Sequence, residues 1–256
     1  MTYKMEDVSL TIAPYSLFDT YKKHIFNLPT PLEVNSLKNE LFLLDQDENK
    51  HLEIYYAPFE YINENAKVLI VGITPGLHQM KQAYSTVASF KEHPTNDEVI
   101  LHEVKKQSSF EGPMRKNLIT LLDELQLHNY LGISSTSELF SIASNLVQTT
   151  SVITYPVFYK GKNYNGSTPN IINTELLRKY IIQNFAEEIT RLQQPLIIPL
   201  GVNVSKVLTF LGEHNYLDSN TILHGFPHTS GGNGHRHKQF AENKEEMKQI
   251  LKSYFR

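Results

Sequence analysis

Four short runs rich in β-branched residues recur along the chain, each running into glycine, proline or a polar loop, with helix-period segments between them. Lys67 to Gly72 (KVLIVG) reads as a buried strand opening into a loop. Gln148 to Thr154 (QTTSVIT), Leu196 to Leu200 (LIIPL) and Thr221 to Gly225 (TILHG) read as three more strands. Pro199 cannot donate to a ladder, so it belongs at its strand's exit.

The intervening segments carry one apolar face each. Leu118, Leu121, Leu122 and Leu125 share a side of a helix over Arg115 to Leu127. Leu177, Ile181, Phe185, Ile189 and Leu192 mark a long helix stopped by Pro195, and Gly166-Ser167-Thr168-Pro169 reads as a helix start upstream of it. Asn203 is placed to cap a helix bearing Val204, Val207, Leu208 and Leu211 and closed by Gly212. Phe240, Met247, Ile250, Leu251 and Tyr254 mark a C-terminal helix. Tyr15 to Leu28 looks helical, and Leu52 to Phe59 suits an extra edge strand or an extended arm.

Strands alternating with helices predict an α/β fold, a three-layer α/β/α sandwich around a central four-stranded parallel sheet. No linker, repeat or charge block divides the 256 residues, which predicts one domain over 1–256 with 1–60 packed on it as an extension. Open parallel sheets bind ligands outside the carboxyl ends of their strands. That rule selects the loops after Gly72, Thr154, Leu200 and Gly225.

Two of those loops are unusual. Gly72-Ile73-Thr74-Pro75-Gly76 forces a tight turn and bares backbone N–H groups, although an ordinary strand exit can look alike. Gly225 to Arg236 (GFPHTSGGNGHR) is dense in glycine, histidine and hydroxyls, a composition suited to an anion or to close approach of DNA.

Together these loops resemble the two signature motifs of the uracil-DNA glycosylase superfamily: a G-x-x-P-G loop, and a His-Pro-Ser loop that here reads His228-Thr229-Ser230. Ser109-Phe110-Glu111-Gly112 resembles that family's P-F-x-G segment, and Thr150-Ser151-Val152-Ile153 resembles its T-N-V-V strand, in the same order. The resemblance, spanning Lys67 to Arg256, implies an enzyme that flips a base from DNA into a pocket and hydrolyses its N-glycosidic bond. It implies that Phe110 stacks on the base and Ser151 touches its edge, with Gly72, Ile73, Pro75 and Gly76 forming the rest of the base site. His228 would stabilise the departing base anion. The Thr74 loop would orient water, and the second loop (Ser230, Gly231, Gly232, Asn233, His235, Arg236, Lys238) would grip the DNA backbone.

The departures from that pattern are chemical. Thr74 stands where relatives have Asp or Asn, and a hydroxyl cannot take a proton near neutral pH. Ser151 replaces the Asn that reads uracil, and Thr229 replaces the Pro of the second loop. A water-orienting group must then come from elsewhere: Glu111 is the carboxylate candidate, and His78 can hold a water or stack on a base. His235, Arg236, His237 and Lys238 open the last helix and suit a phosphate, as do Arg115 and Lys116 at another helix start. Tyr155, Phe158, Tyr159 and Tyr164, interleaved with Lys160 and Lys162, suit base stacking or the packing of a hydrophobic loop.

Composition narrows the chemistry further. There is no cysteine, which excludes disulfides, thiolate nucleophiles, thiolate zinc sites and cysteine-ligated iron–sulfur clusters. His224, His228, His235 and His237 fit no standard zinc spacing, so neither metal nor other cofactor is expected. No basic-then-apolar leader follows Met1 and no long apolar run occurs, which predicts a cytoplasmic protein without a membrane partner. A net charge of −3 gives no global pull toward nucleic acid, so DNA contact would need a local basic groove. The expected function is a monomeric DNA-repair glycosylase acting in base excision. The alternatives are an inactive nucleic-acid or nucleotide-binding protein on the same scaffold, and a hydrolase of free nucleosides.

Overall fold

A computed structural model describes residues 16–93 and 95–256. The expected helix start at Tyr15 and the reading of the residues after Met1 lie outside them. Helices α1 (Ser16–Phe26) and α2 (Val34–Leu37) precede strands β1 (Leu43–Asp47) and β2 (Leu52–Tyr55). Strand β3 (Val68–Gly72) leads through α3 (Leu77–Ser89), α4 (Asp97–Ser108), α5 (Pro113–Glu124) and α6 (Leu127–Leu131) to β4 (Val147–Ser151). A hairpin of β5 (Val157–Tyr159) and β6 (Lys162–Asn163) follows, then α7 (Glu175–Tyr180) and α8 (Ala186–Thr190), joined by a π-helical turn over Ile181–Phe185. Strand β7 (Leu196–Pro199), α9 (Val202–Glu213) and α10 (Arg236–Tyr254) complete the chain.

The central sheet is parallel, in the order β4-β3-β7. All three strands are buried end to end, as a sheet covered on both faces requires. Val68, Ile70, Leu196 and Ile198 face Leu118, Leu121, Leu122, Phe240, Met247 and Leu251 of α5 and α10. Leu69, Val71 and Ile197 point the other way, toward Val204, Val207, Leu208 and Leu211 of α9. Burying each such side chain stabilises the fold by roughly 1.5–3 kcal/mol, and the alternation builds the expected three layers.

The fourth strand is vestigial. Ile222 joins Ile197 through a single parallel bridge, and Leu223 N–H donates to Ile197 O at 2.8 Å. Asp218 caps a 3-10 turn over Ser219–Thr221 on one side, and Gly225 turns at φ 82° on the other, so no longer ladder forms.

Three local expectations need correction. Leu52–Tyr55 is an inner strand of a second, antiparallel sheet of order β1-β2-β5-β6 rather than an edge or an arm. Helix α9 is capped by Gly201, and Asn203 instead donates its amide to Asn165 O and Ser167 Oγ. The Gly166–Pro169 signal opens no helix; α7 begins at Glu175.

Candidate active site

At the exit of β3 the parallel sheet opens into the first of the two loops. Gly72 pairs in register with Ser151, and Gly72 O and Ile73 O accept from Val152 N and Ile153 N, so the two loops leave the sheet side by side. A Cβ on Gly72 would sit 3.1 Å from the Phe110 ring and 3.2 Å from Ser151 Oγ. Glycine here lets an aromatic ring and a hydroxyl close on the strand end together.

Phe110 reaches that point through a sharp reversal between α4 and α5. Arg115 donates to the carbonyls of Lys106, Gln107 and Ser109 at 2.7–3.0 Å, satisfying the free end of α4. Phe110 itself adopts φ 54° while its side chain is buried, a left-handed conformation that costs a non-glycine residue of order 1 kcal/mol. Arg115 is therefore occupied by its own loop, with its guanidinium also over the Phe140 ring, and is not free for phosphate.

Pro75, Gln79, Phe59, Lys105, Ser109, Phe110, Thr149, Thr150, Ser151 and Thr154 line a small, partly open cavity of about 20 Å³. That is room for one water and not for a nucleobase. Among the described residues no hydrogen-bond partner meets the Ser151 hydroxyl, which is buried at the strand end. Outside that lining, His78 Nε2 on the first turn of α3 contacts the Glu111 carboxylate. With Nε2–H held by Glu111, His78 Nδ1 is the acceptor that remains.

Thr74 does not serve as a free water-orienting hydroxyl. Its Oγ1 donates to Tyr155 O at 2.7 Å and accepts Val157 N–H at 3.0 Å, tying the first loop to the start of β5. Gly76 N–H goes to Gln79 Oε1 and Leu77 N–H to Asn163 Oδ1, both at 3.0 Å, so the bared donors of this loop are already met. Ile73 is buried. Tyr155, Phe158 and Tyr164 are core residues rather than a stacking platform; Tyr159 is half-buried and Lys160 lies over its ring.

The second loop rests on the exit of β7. Gly201 adopts φ 92°, and a Cβ there would lie 2.8 Å from His228 Cβ, so backbone and histidine meet without intervening atoms. His228 Nδ1 accepts from Ser230 N–H at 3.3 Å, which leaves the proton on Nε2. Burial lowers its pKa below the usual histidine value, which favours the neutral ring. Asn117 Nδ2 donates to Thr229 O at 2.9 Å, and Gly231 lies against Pro113, so the Phe110 segment and the histidine loop are packed together.

The rest of the loop is organised internally. Asn233 donates to His228 O and Gln239 Oε1 and accepts from His235 N, which makes it a loop brace. Arg236 is half-buried and turns back to Asn233 O at 3.1 Å, while His235, His237 and Lys238 are exposed at the start of α10, with Gly231 and Gly232 exposed before them and Ser230 half-buried. Among the described residues no three His, Asp or Glu side chains are arranged to hold a metal ion, and no helix is long and apolar enough to cross a membrane.

A charged cluster beside the cavity escaped the sequence reading. Lys105 on α4 is 6% exposed and donates to Thr149 O at 2.7 Å. Glu188 accepts from Gln148 Nε2 at 2.6 Å and Thr150 Oγ1 at 2.7 Å. Burial pushes the Glu60 carboxyl up to about 8, with Tyr56 O–H as its one hydrogen-bond donor among the described residues. The signal was present: Lys105 stands one helical turn from Leu101 on the face that Val104 also buries.

Fold and site define a three-layer α/β protein with a buried aromatic ring closing on the β3 and β4 exits, a carboxylate–histidine pair between α3 and the loop before α5, and a half-buried imidazole at the β7 exit. The chain belongs to the family of YoxB from Bacillus subtilis (strain 168), an uncharacterized protein with which it is 39% identical over 241 residues, covering 93% of each. It is also similar to a crystal structure of wild-type Pedobacter heparinus SMUG2, at 15% identity and a TM-score of 0.38 over 76% of each chain, a likeness too loose to support any inference. No family model matches the chain.

Proposed function

We propose that this chain is a DNA glycosylase-like hydrolase, a single domain that releases a damaged or deaminated base from DNA. The observation that carries the reading is the half-buried His228 ring at the β7 exit, its Nδ1 accepting from Ser230 N–H and its Nε2 without a partner among the described residues, while Phe110 and Ser151 close on the β3 exit. When an N-glycosidic bond breaks, its electron pair leaves with the base, and a neutral imidazole N–H is the donor suited to the developing anion. Water then attacks the sugar C1′ and must lose a proton. His78 Nδ1 takes it, with Glu111 fixing the ring as the carboxylate of a dyad. Thr74 has no part in that transfer. DNA would meet the exposed His235, His237 and Lys238, and the protein would work as a cytoplasmic monomer.

The test uses purified protein with single- and double-stranded oligonucleotides bearing uracil, hypoxanthine, xanthine or a mismatch. Alkali-labile abasic sites are expected from at least one substrate. Absence of base release from all of them refutes the activity. A second reading, DNA binding without chemistry, is favoured by the backbone bonds that hold Thr74. It predicts binding that weakens with salt and leaves no abasic product.

A further inference from the structure

A larger cavity lies at the other end of the sheet from the candidate active site. It opens beside the amino ends of β3 and β7, on the α9 side, and has a volume of about 240 Å³. Leu69, Leu192 and Ile197, all buried, form its floor, and the exposed side chains of Thr190, Tyr216 and Asp218 stand around its mouth. An apolar cavity of roughly 150 Å³ takes a benzene ring, so this one has room for a ring and a short side chain.

Three local features leave the space. The vestigial fourth strand pairs at Ile222 alone, so no ladder covers the amino end of β7 on that side. Gln194 turns the chain into β7 at φ 48°, and Tyr254 O–H fixes the turn by donating to Gln194 O at 2.8 Å. Asn215 turns the chain out of α9 at φ 62°, and Tyr216 N–H then donates to Leu211 O at 2.9 Å. Left-handed backbone is unfavourable for a residue with a Cβ, and two such turns stand beside the walls of this one cavity.

Charge identifies what the cavity suits. Asp218 is the one charged side chain of the lining; no lysine, arginine or histidine belongs to it among the described residues. Asp218 Oδ1 accepts Asn220 N–H at 2.9 Å, while Oδ2 has no partner among the described residues. Helix α9 runs toward this end of the sheet and ends at Glu213, which turns the negative end of its dipole to the same side. Tyr216 adds an aromatic ring that is 37% exposed. A carboxylate oxygen and a ring suit an ammonium, the floor suits an apolar body, and an anion is repelled.

We propose that this cavity binds a small amphipathic amine, its apolar body on Leu69, Leu192 and Ile197 and its ammonium at Asp218 Oδ2 and the Tyr216 ring. The site is separate from the strand-exit loops and stands whether or not the chain cleaves a glycosidic bond.

The experiment titrates the full chain with phenethylamine, phenethyl alcohol and phenylacetate, which share a ring and differ in charge, and follows backbone amide shifts by NMR. The amine should saturate at millimolar concentration or below, with shifts concentrated at Ile189, Ile197 and Thr221 rather than at Gly72 and Gly201. It should bind at least about tenfold more tightly than phenylacetate and about threefold more tightly than the alcohol, and salt should narrow both gaps. Asp218→Asn keeps an acceptor for Asn220 N–H and should bring the three ligands within about threefold of one another. Leu217→Trp, which fills the cavity, should abolish binding of all three. No binding of the amine, equal affinity for amine and carboxylate in the wild type, or an undiminished amine preference in Asp218→Asn overturns the assignment. So do shifts centred on the strand-exit loops. If Leu217→Trp fails to fold, Thr190→Trp at the exposed rim blocks the mouth in its place.

Discussion

Replacing Thr74 with valine separates two roles that a threonine in this loop could hold. The hydroxyl makes two hydrogen bonds to backbone, one to Tyr155 O and one from Val157 N–H, and Val157 is fully buried. Each bond is worth ~1 kcal/mol net, and leaving the Val157 N–H without an acceptor adds ~1–3 kcal/mol. Thr74 is itself half-exposed, so water can relieve part of this and the expected loss is about 2–3 kcal/mol. For a chain of this length that lowers Tm by roughly 4–10 °C. Thr74→Ser keeps the hydroxyl and should melt close to wild type. Thermal melts of the three proteins, with base release measured well below every Tm, give both readouts. A Thr74→Val protein that melts like wild type yet loses base release by more than tenfold would refute the structural account and return the hydroxyl to the chemistry.

Four further outcomes follow from the structure. His228→Ala should lower any base-release rate at least tenfold, about 1.4 kcal/mol, with substrate binding less affected; an unchanged rate removes His228 from the mechanism. Because burial lowers the folded pKa of His228, the folded state binds fewer protons than the unfolded chain, and stability falls as pH drops below the ordinary histidine value of 6.5. Urea melts of His228→Gln should show a shallower loss over that interval. Gly201→Ala should destabilise strongly, since φ 92° and a 2.8 Å approach to His228 leave a methyl no place, and calorimetry would show it as a lowered Tm. Glu60, raised from 4.5 to about 8, penalises the folded state as pH rises between those values, because the unfolded carboxyl ionises first. Stability of Glu60→Gln across that window should be flatter than wild type.

The central sheet was legible because burial on both faces writes itself as uninterrupted β-branched runs, and Lys67 to Gly72 and Leu196 to Leu200 are such runs. The antiparallel sheet was not. Leu43 to Asp47 carries no alternation, its side chains are mostly half-buried, and it becomes a strand only by pairing with Leu52 to Tyr55 across the Glu48–His51 turn. The fourth strand was overread for the opposite reason. Thr221 to Gly225 has strand composition, but a capped turn before it and a left-handed glycine after it leave one bridge.

For the site, loops after parallel strands are named by topology, so the convergence at Gly72, Ser151 and Gly201 could be anticipated, whereas the bonding of a single hydroxyl could not. Thr74 illustrates the limit: nothing local distinguishes a threonine that holds water from one that holds Tyr155 O, because the acceptor lies 81 positions away. Lys105 illustrates the converse. A cation on the buried face of an amphipathic helix conflicts with the solvation of charge, and such a conflict persists only when the interior supplies compensation. Thr149 O and the neighbouring Glu188 supply part of it here, while burial still lowers the lysine's pKa.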